Sequence, residues 1–167
     1  IRTAQATDAA PLAALGARVF ASTYGTVIEK EALFHYLREN LSATAVAADL
    51  ARPETYYHVA TDGDELLGFV KLEETTAPLC VIADRPLEIV RLYVAHEHRQ
   101  QGIGRMLLTQ ALETAVKLNY PAVWVCVWEN HQQSIDFYQH NGFEPRGKNS
   151  LFVDTVAFRD YVLEKGL

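Results

Sequence analysis

The chain has 167 residues, enough for one domain with a real core and too few for two ordinary ones. Hydrophobic residues make up 49% and charged residues 22%, and no apolar run reaches the roughly 18–20 residues of a membrane span. A net charge of −6 argues against nucleic acid as a partner, since phosphate binding needs a basic face, and leans weakly toward a cationic substrate.

The chain opens at Ile1 without a basic-then-apolar leader, so a cytoplasmic protein is expected. Cys80 and Cys126 lie far apart and lack metal-ligand or redox spacing, which favours two reduced, buried thiols over a disulfide. No repeat, low-complexity tract or linker divides the sequence, so residues 1–167 are expected to form a single domain.

In chain order, residues 1–5 suit a short strand, and Asp8 can cap a helix over 9–23 with Leu12, Leu15, Val19 and Phe20 in step. Leu33, Leu37 and Leu41 mark a second helical region, followed by a piece over 42–50 that Arg52-Pro53 ends. A hairpin then turns at Asp62-Gly63-Asp64 between strands at 56–61 and 66–73. Residues 87–94 (LEIVRLYV) read as a strand and 102–118 as an amphipathic helix. The run AVWVCVW at 122–128 is apolar throughout, as in a strand buried on both faces. A helix over 132–140 stops at Asn141-Gly142, and strand-like segments around Phe143 and over 152–163 close the chain. The order predicts an α/β fold around a mixed sheet.

The strand ending Leu92-Tyr93-Val94 leads into Arg99-Gln100-Gln101-Gly102-Ile103-Gly104-Arg105 at the start of a helix. The first amides of a helix have no intrahelical partner and its dipole favours negative charge there, so this turn is a candidate anion site. Gly102 and Gly104 would let a diphosphate approach the main chain. A P-loop is excluded because no Gly-Lys-Ser/Thr follows, and a dinucleotide fingerprint because Leu107 stands where its third glycine belongs.

The pattern R-x-x-G-x-G resembles the GNAT superfamily of acyl-CoA N-acyltransferases. So does the segment from Asn130 through Ser134, Phe137 and Tyr138 to Gly142-Phe143, which follows that superfamily's N-x-x-[AS]-x-x-[FL]-Y-x-x-x-G-F. The stretches YGTVI…LFHYLRENLS, GFVKLE and WVCVWENHQQSIDFYQHNGF resemble PaiA-type bacterial polyamine/diamine acetyltransferases in particular.

The resemblance implies a mixed, mostly antiparallel sheet of six to seven strands flanked by four or so helices. It implies acetyl-CoA as co-substrate, held by Leu92, Tyr93, Val94, residues 99–105, Asn130, Ser134 and Tyr138. It implies an acetyl transfer to a primary amine, a polyamine being one candidate, by direct attack in a ternary complex. Peptide or protein amines, a longer acyl group, or a non-catalytic acyl-CoA sensor are the alternatives. Tyr138 becomes the candidate general acid, since a phenol of pKa about 10 can protonate a thiolate whose acid lies near 8.5. The main-chain N–H of Val94 or a neighbour becomes the oxyanion donor.

The proton acceptor is less determined. Relatives often carry glutamate where Val90 stands; Glu88, two residues earlier, and Glu73, ending the preceding strand, are the candidates, beside water. Tyr24 and Tyr36 could line an acceptor pocket. His96 and His98 lack a third ligand, so no metal is expected. C-terminal edge strands could pair across a homodimer, as in the superfamily, though no interface signature supports it.

Overall fold

The computed structural model describes residues 1–153 and 156–167, with side chains throughout except at 151–153. The strands are β1 (Arg2–Thr3), β2 (Thr55–Asp62), β3 (Glu65–Glu73), β4 (Leu87–Val94), β5 (Ala122–Trp128), β6 (Glu144–Val153) and β7 (Val156–Gly166). The helices are α1 (Ala9–Tyr24), α2 (Lys30–Asn40), α3 (Ala43–Leu50), α4 (Ile103–Lys117) and α5 (Gln132–His140), with single 3₁₀ turns at Ala6–Asp8 and His96–His98. The seven strands form one sheet in the order β1-β2-β3-β4-β5-β7-β6. β4 and β5 run parallel, whereas β1/β2, β5/β7 and β6/β7 are antiparallel. This is the mixed, largely antiparallel α/β architecture expected from the sequence.

Contacts group the chain into two compact units, Ile1–Lys71 with Arg91–Ala111, and Leu72–Val90 with Leu112–Leu167. In the first unit the apolar stripe of α1 (Leu12, Leu15, Val19) packs with Val46 of α3, Tyr57 and Val59 of β2, and Phe69 of β3. Ser42 caps α3 by accepting the Ala45 N–H at 3.2 Å, an interaction worth about 1 kcal/mol. Asp8 does not cap α1 with its side chain, contrary to expectation. Its carboxylate turns back to accept the Gln5 N–H (2.7 Å) and two bonds from Arg2, closing the 3₁₀ turn instead. Within the same core Lys71 is buried, and its ammonium donates to Asp49, which also accepts from the Tyr57 hydroxyl.

In the second unit β5 is buried on nearly its whole length, as its continuous apolar run predicts. Its ladder with β7 covers all seven residues, Ala122 to Trp128, while its described ladder with β4 holds two pairs, Leu87↔Val123 and Glu88↔Trp124. Buried Glu164 on β7 anchors the connection between β3 and β4, accepting the N–H groups of Ile82 (3.2 Å) and Ala83 (2.9 Å) and the Arg146 guanidinium (2.7 Å). Burial alone would raise that carboxyl, but these donors hold it below the usual range. The strand expected over 152–163 is two elements: Phe152 lies at the end of β6, in register with Ala157 of β7. Residues 154 and 155 of that span lie outside the described residues.

Gly68 shows how tightly β3 and β4 approach. A Cβ there would sit 2.7 Å from the Tyr93 carbonyl oxygen and 3.2 Å from Leu107 Cδ1, and a main-chain oxygen cannot swing aside. Gly68→Ala should therefore cost about 1–3 kcal/mol, read as a lower midpoint in urea with an unchanged slope.

Candidate active site

The first unit carries the candidate anion-binding turn. Leu92, Tyr93 and Val94 are half-buried at the end of β4, and the chain then leaves the sheet through the 3₁₀ turn at His96–His98. Arg99 folds its guanidinium back onto that strand, Nε donating to the Val94 carbonyl at 3.4 Å. Gln101 ties the turn across itself, its amide donating to the Glu97 carbonyl at 3.3 Å. Gln100 and Gly102 both take positive φ, +61° and +84°. These two left-handed residues flank Gln101, a bend that can turn main-chain N–H groups of the loop toward one anion.

The first helical amide of α4 to find a partner is that of Met106, bonded to the Gly102 carbonyl at 3.0 Å. The amides of Ile103, Gly104 and Arg105 precede it, where a helix offers no acceptor. Gly102 is exposed and a Cβ on it would meet nothing within 4 Å, so main-chain strain rather than crowding makes glycine the residue for that position. Arg105 is exposed on the first turn. An anionic group placed here would meet three free N–H groups and the positive end of a 15-residue helix.

A second feature of this unit was not legible in the sequence. Arg91 of β4 is buried, 8% exposed, and its guanidinium contacts the Tyr36 hydroxyl at 3.4 Å. Burial opposes its charge, but the hydroxyls of Tyr36, Tyr93 and Tyr57 outweigh it and raise its pKa. Burial in turn pushes the Tyr93 phenol up to about 12. Tyr36, one of the aromatic residues marked as a pocket candidate, stacks on Phe20 with ring centroids 4.3 Å apart.

The second unit carries the candidates of β5 and α5. Asn130 stands in the turn between β5 and α5, exposed and with no hydrogen bond among the described residues. The N-cap of α5 is His131, so Asn130 lies one residue before the cap position. The Ser134 hydroxyl bonds His131 Nδ1 at 2.6 Å. Tyr138 is buried, 5% exposed, between the rings of Phe137 (5.2 Å) and Phe143 (5.1 Å).

Of the two candidate bases, Glu73 is buried at the end of β3. Glu88 is half-buried and accepts the Thr75 hydroxyl at 2.5 Å. Val90 is likewise half-buried on β4. On the same face as Glu88, Trp124 is buried with its indole N–H unbonded, and Cys126 follows two residues on. Both cysteines are free thiols and half-buried rather than fully so. Asp160 of β7, opposite Trp128, is 5% exposed; burial first, and then the charge of Glu129, raise its carboxyl to about 6. No motif marks Asp160. Its signal is a charge at an inward position of an alternating strand, legible only once the register of β7 is known. Among the described residues no group of three His, Cys, Asp or Glu side chains could hold a metal ion.

A sequence model of the acetyltransferase (GNAT) family matches residues 22–143. The chain is similar to the spermidine N(1)-acetyltransferase of Thermoplasma acidophilum, at 24% identity over 86% of this chain and 81% of that one. It is similar also to an uncharacterised N-acetyltransferase of Lactobacillus delbrueckii subsp. lactis, at 23% over 92% and 89% respectively. Among solved structures, the PaiA N-acetyltransferase from Thermoplasma acidophilum in complex with coenzyme A matches with a TM-score of 0.79 and 22% identity, covering 99% of this chain and 97% of its own.

Burial, followed by the negative charges of Asp160 and Glu88, pushes the Cys126 thiol up to about 12. Since the thiolate is the nucleophile, iodoacetamide at pH 8 should modify Cys126 roughly a thousand-fold more slowly than an ordinary cysteine. Peptide mapping of the alkylated native protein reads this directly, and fast labelling at Cys126 would contradict the burial described.

Proposed function

This chain belongs to the acetyltransferase (GNAT) family and is an acetyl-CoA-dependent N-acetyltransferase, and we propose that its acceptor is the primary amine of a small cationic molecule, a polyamine such as spermidine or spermine being the first candidate. The observation that carries the donor side is the start of α4: free amides at Ile103, Gly104 and Arg105 behind the bend at Gln100 and Gly102. Such a cradle suits the pyrophosphate of coenzyme A, and the family match spans it. Leu92, Tyr93 and Val94 on β4, Arg99 and Gln101 in the turn, and Asn130 and Ser134 at α5 are the remaining residues proposed to hold the donor. The whole chain serves as one transferase domain, and its expected place is the cytoplasm.

The polyamine reading draws on the two Thermoplasma relatives and on the acidic character of the second unit, where Glu88, Glu129 and Asp160 lie on or beside β4, β5 and β7. The reaction is attack of a neutral amine on the acetyl thioester within a ternary complex, with proximity supplying much of the acceleration. Three tasks then fall to the protein. An N–H at the end of β4, that of Val94 or a neighbour, donates to the developing oxyanion. The Tyr138 hydroxyl donates its proton to the departing sulfur. A carboxylate removes the acceptor's proton, with Glu88 and Glu73 as the two on the expected strands. The burial of Tyr138 between two aromatic rings suits an acid, because it fixes the phenol's direction.

Thiol release from acetyl-CoA should be saturable with one class of amine in a panel of spermidine, spermine, putrescine, an aminoglycoside and a peptide with a free N-terminus. Tyr138→Phe should lower kcat by roughly 10²–10⁴ while leaving the melting-temperature rise caused by acetyl-CoA intact. Full turnover by that variant would remove Tyr138 as the acid. Silence of the wild type with every amine, with acetyl-CoA still stabilising the fold, would replace the enzyme by a binding module.

A further inference from the structure

The face of β5 and β7 in the second unit carries Glu88, Trp124, Cys126, Trp128, Phe158 and Asp160, as the registers Glu88↔Trp124 and Trp128↔Asp160 require. Asp160 is 95% buried by its 5% exposure, yet its carboxyl makes no hydrogen bond among the described residues. The groups that face it explain little of that placement. From β5 come the Cys126 thiol and the Trp128 ring, and from the turn after β5 comes Glu129. From β6 comes Asn149, in register with it, and from β4 comes Glu88, whose charge acts on the same thiol.

The nearest cation, Lys148, is committed elsewhere: its ammonium bonds Glu129 at 2.9 Å and lies 4.6 Å from the Tyr161 ring centre. A second observation on this face points the same way. The Trp124 indole N–H is buried without an acceptor, so an unspent donor and an unpaired carboxyl share one surface. A carboxyl so nearly buried, without a donor and beside the Glu129 charge, suits a cationic ligand.

Resting on the N-acetyltransferase reading above, we propose that Asp160 binds the ammonium of the acceptor amine and takes its proton. Glu129 holds the cation there by its charge, and the rings of Trp128 and Phe158, packed edge to face at 5.8 Å, line the methylene chain behind it. In the step, one N–H bond of the ammonium breaks and an O–H bond forms on the Asp160 carboxylate. The nitrogen keeps the electron pair with which it attacks the thioester carbonyl, and the proton later leaves to water. Glu88 is the weaker candidate for this task because its carboxylate is already an acceptor for the Thr75 hydroxyl. Asp160 has no such donor, and a carboxyl at about 6 is roughly a hundred times the base of an ordinary aspartate. It is still ionised at neutral pH.

The test is the pH profile of kcat/KM for the amine that the panel identifies, in the wild type and three variants. The wild type should lose activity below an acid limb near pH 6, where Asp160 becomes protonated. Asp160→Asn should lower kcat/KM by about 10²-fold or more at pH 7–8 and abolish the limb, while the stabilisation by acetyl-CoA persists. Asp160→Glu should restore part of the rate together with a limb. Glu129→Gln should raise KM for the amine and move the limb to lower pH, since the Glu129 charge helps to raise Asp160.

An Asp160→Asn enzyme with the wild-type rate and limb overturns the proposal and leaves the acetyltransferase reading standing. If that variant does not fold, the Glu129→Gln limb decides, and an unmoved limb overturns it equally. A wild type silent with all amines removes both readings at once.

Discussion

A helix cannot satisfy its own first amides, and this chain places that unavoidable defect at the end of β4. The turn of residues 95–102 prepares the defect rather than covering it. Ala95 N–H bonds the Leu67 carbonyl at 2.8 Å, which fixes where the strand stops, and Arg99 reaches back to the Val94 carbonyl. Gln100 and Gly102 supply two left-handed residues, one of which costs a side-chain-bearing residue about 1–2 kcal/mol of strain. Gln100 carries that strain on an exposed turn, while Gly102 meets the same region of φ without it.

The same accounting separates structural from functional buried charge. Lys71 is buried but sits on Asp49, which is itself bonded to Tyr57, so its desolvation is met by a near-ideal partner. Glu164 is buried but receives three donors and in return pins the β3–β4 connection to β7. Arg91 and Asp160 have no such arrangement. Arg91 meets only phenol oxygens, and Asp160 meets only groups that raise its proton affinity.

Much of the fold was legible because periodicity and punctuation agree in this chain. LEIVRLYV, AVWVCVW and the helix over 132–140 fall on β4, β5 and α5 without adjustment, since long apolar alternation and a following Gly or Asn leave one reading. Asp8 was misread because a carboxylate before a helix has two amides in reach, and the arginine at position 2 drew it backward. The span 152–163 was read as one strand because strand-like letters stand on both sides of Asp154-Thr155 and no Gly or Pro marks a break. At the site, the glycine-rich turn and the residues of α5 were named from motif, while Arg91 and Asp160 were not. A buried charge on a strand is visible only through cross-strand register, and register is a long-range property that no local window contains.

The Asp160 carboxyl also sets a tension between stability and activity. Its folded-state pKa is raised above the 3.8 of an ordinary aspartate, so the native state holds that proton more tightly than the unfolded chain. Below pH 3.8 both states are protonated and nothing is lost. As pH rises toward 6 the folded state forgoes stability, and above 6 the penalty is constant at about 3 kcal/mol. At neutral pH, then, the chain carries a standing destabilisation at one residue of β7, of the size of a large core mutation. An asparagine would fill the same volume without it. An aspartate kept at that expense beside the Glu129 charge is best understood by what an ammonium does on arrival: it relieves the repulsion, lowers the carboxyl's proton affinity, and is itself poised to give up a proton. The destabilised carboxylate of the resting protein is thus the same property that makes it a base for a cationic substrate.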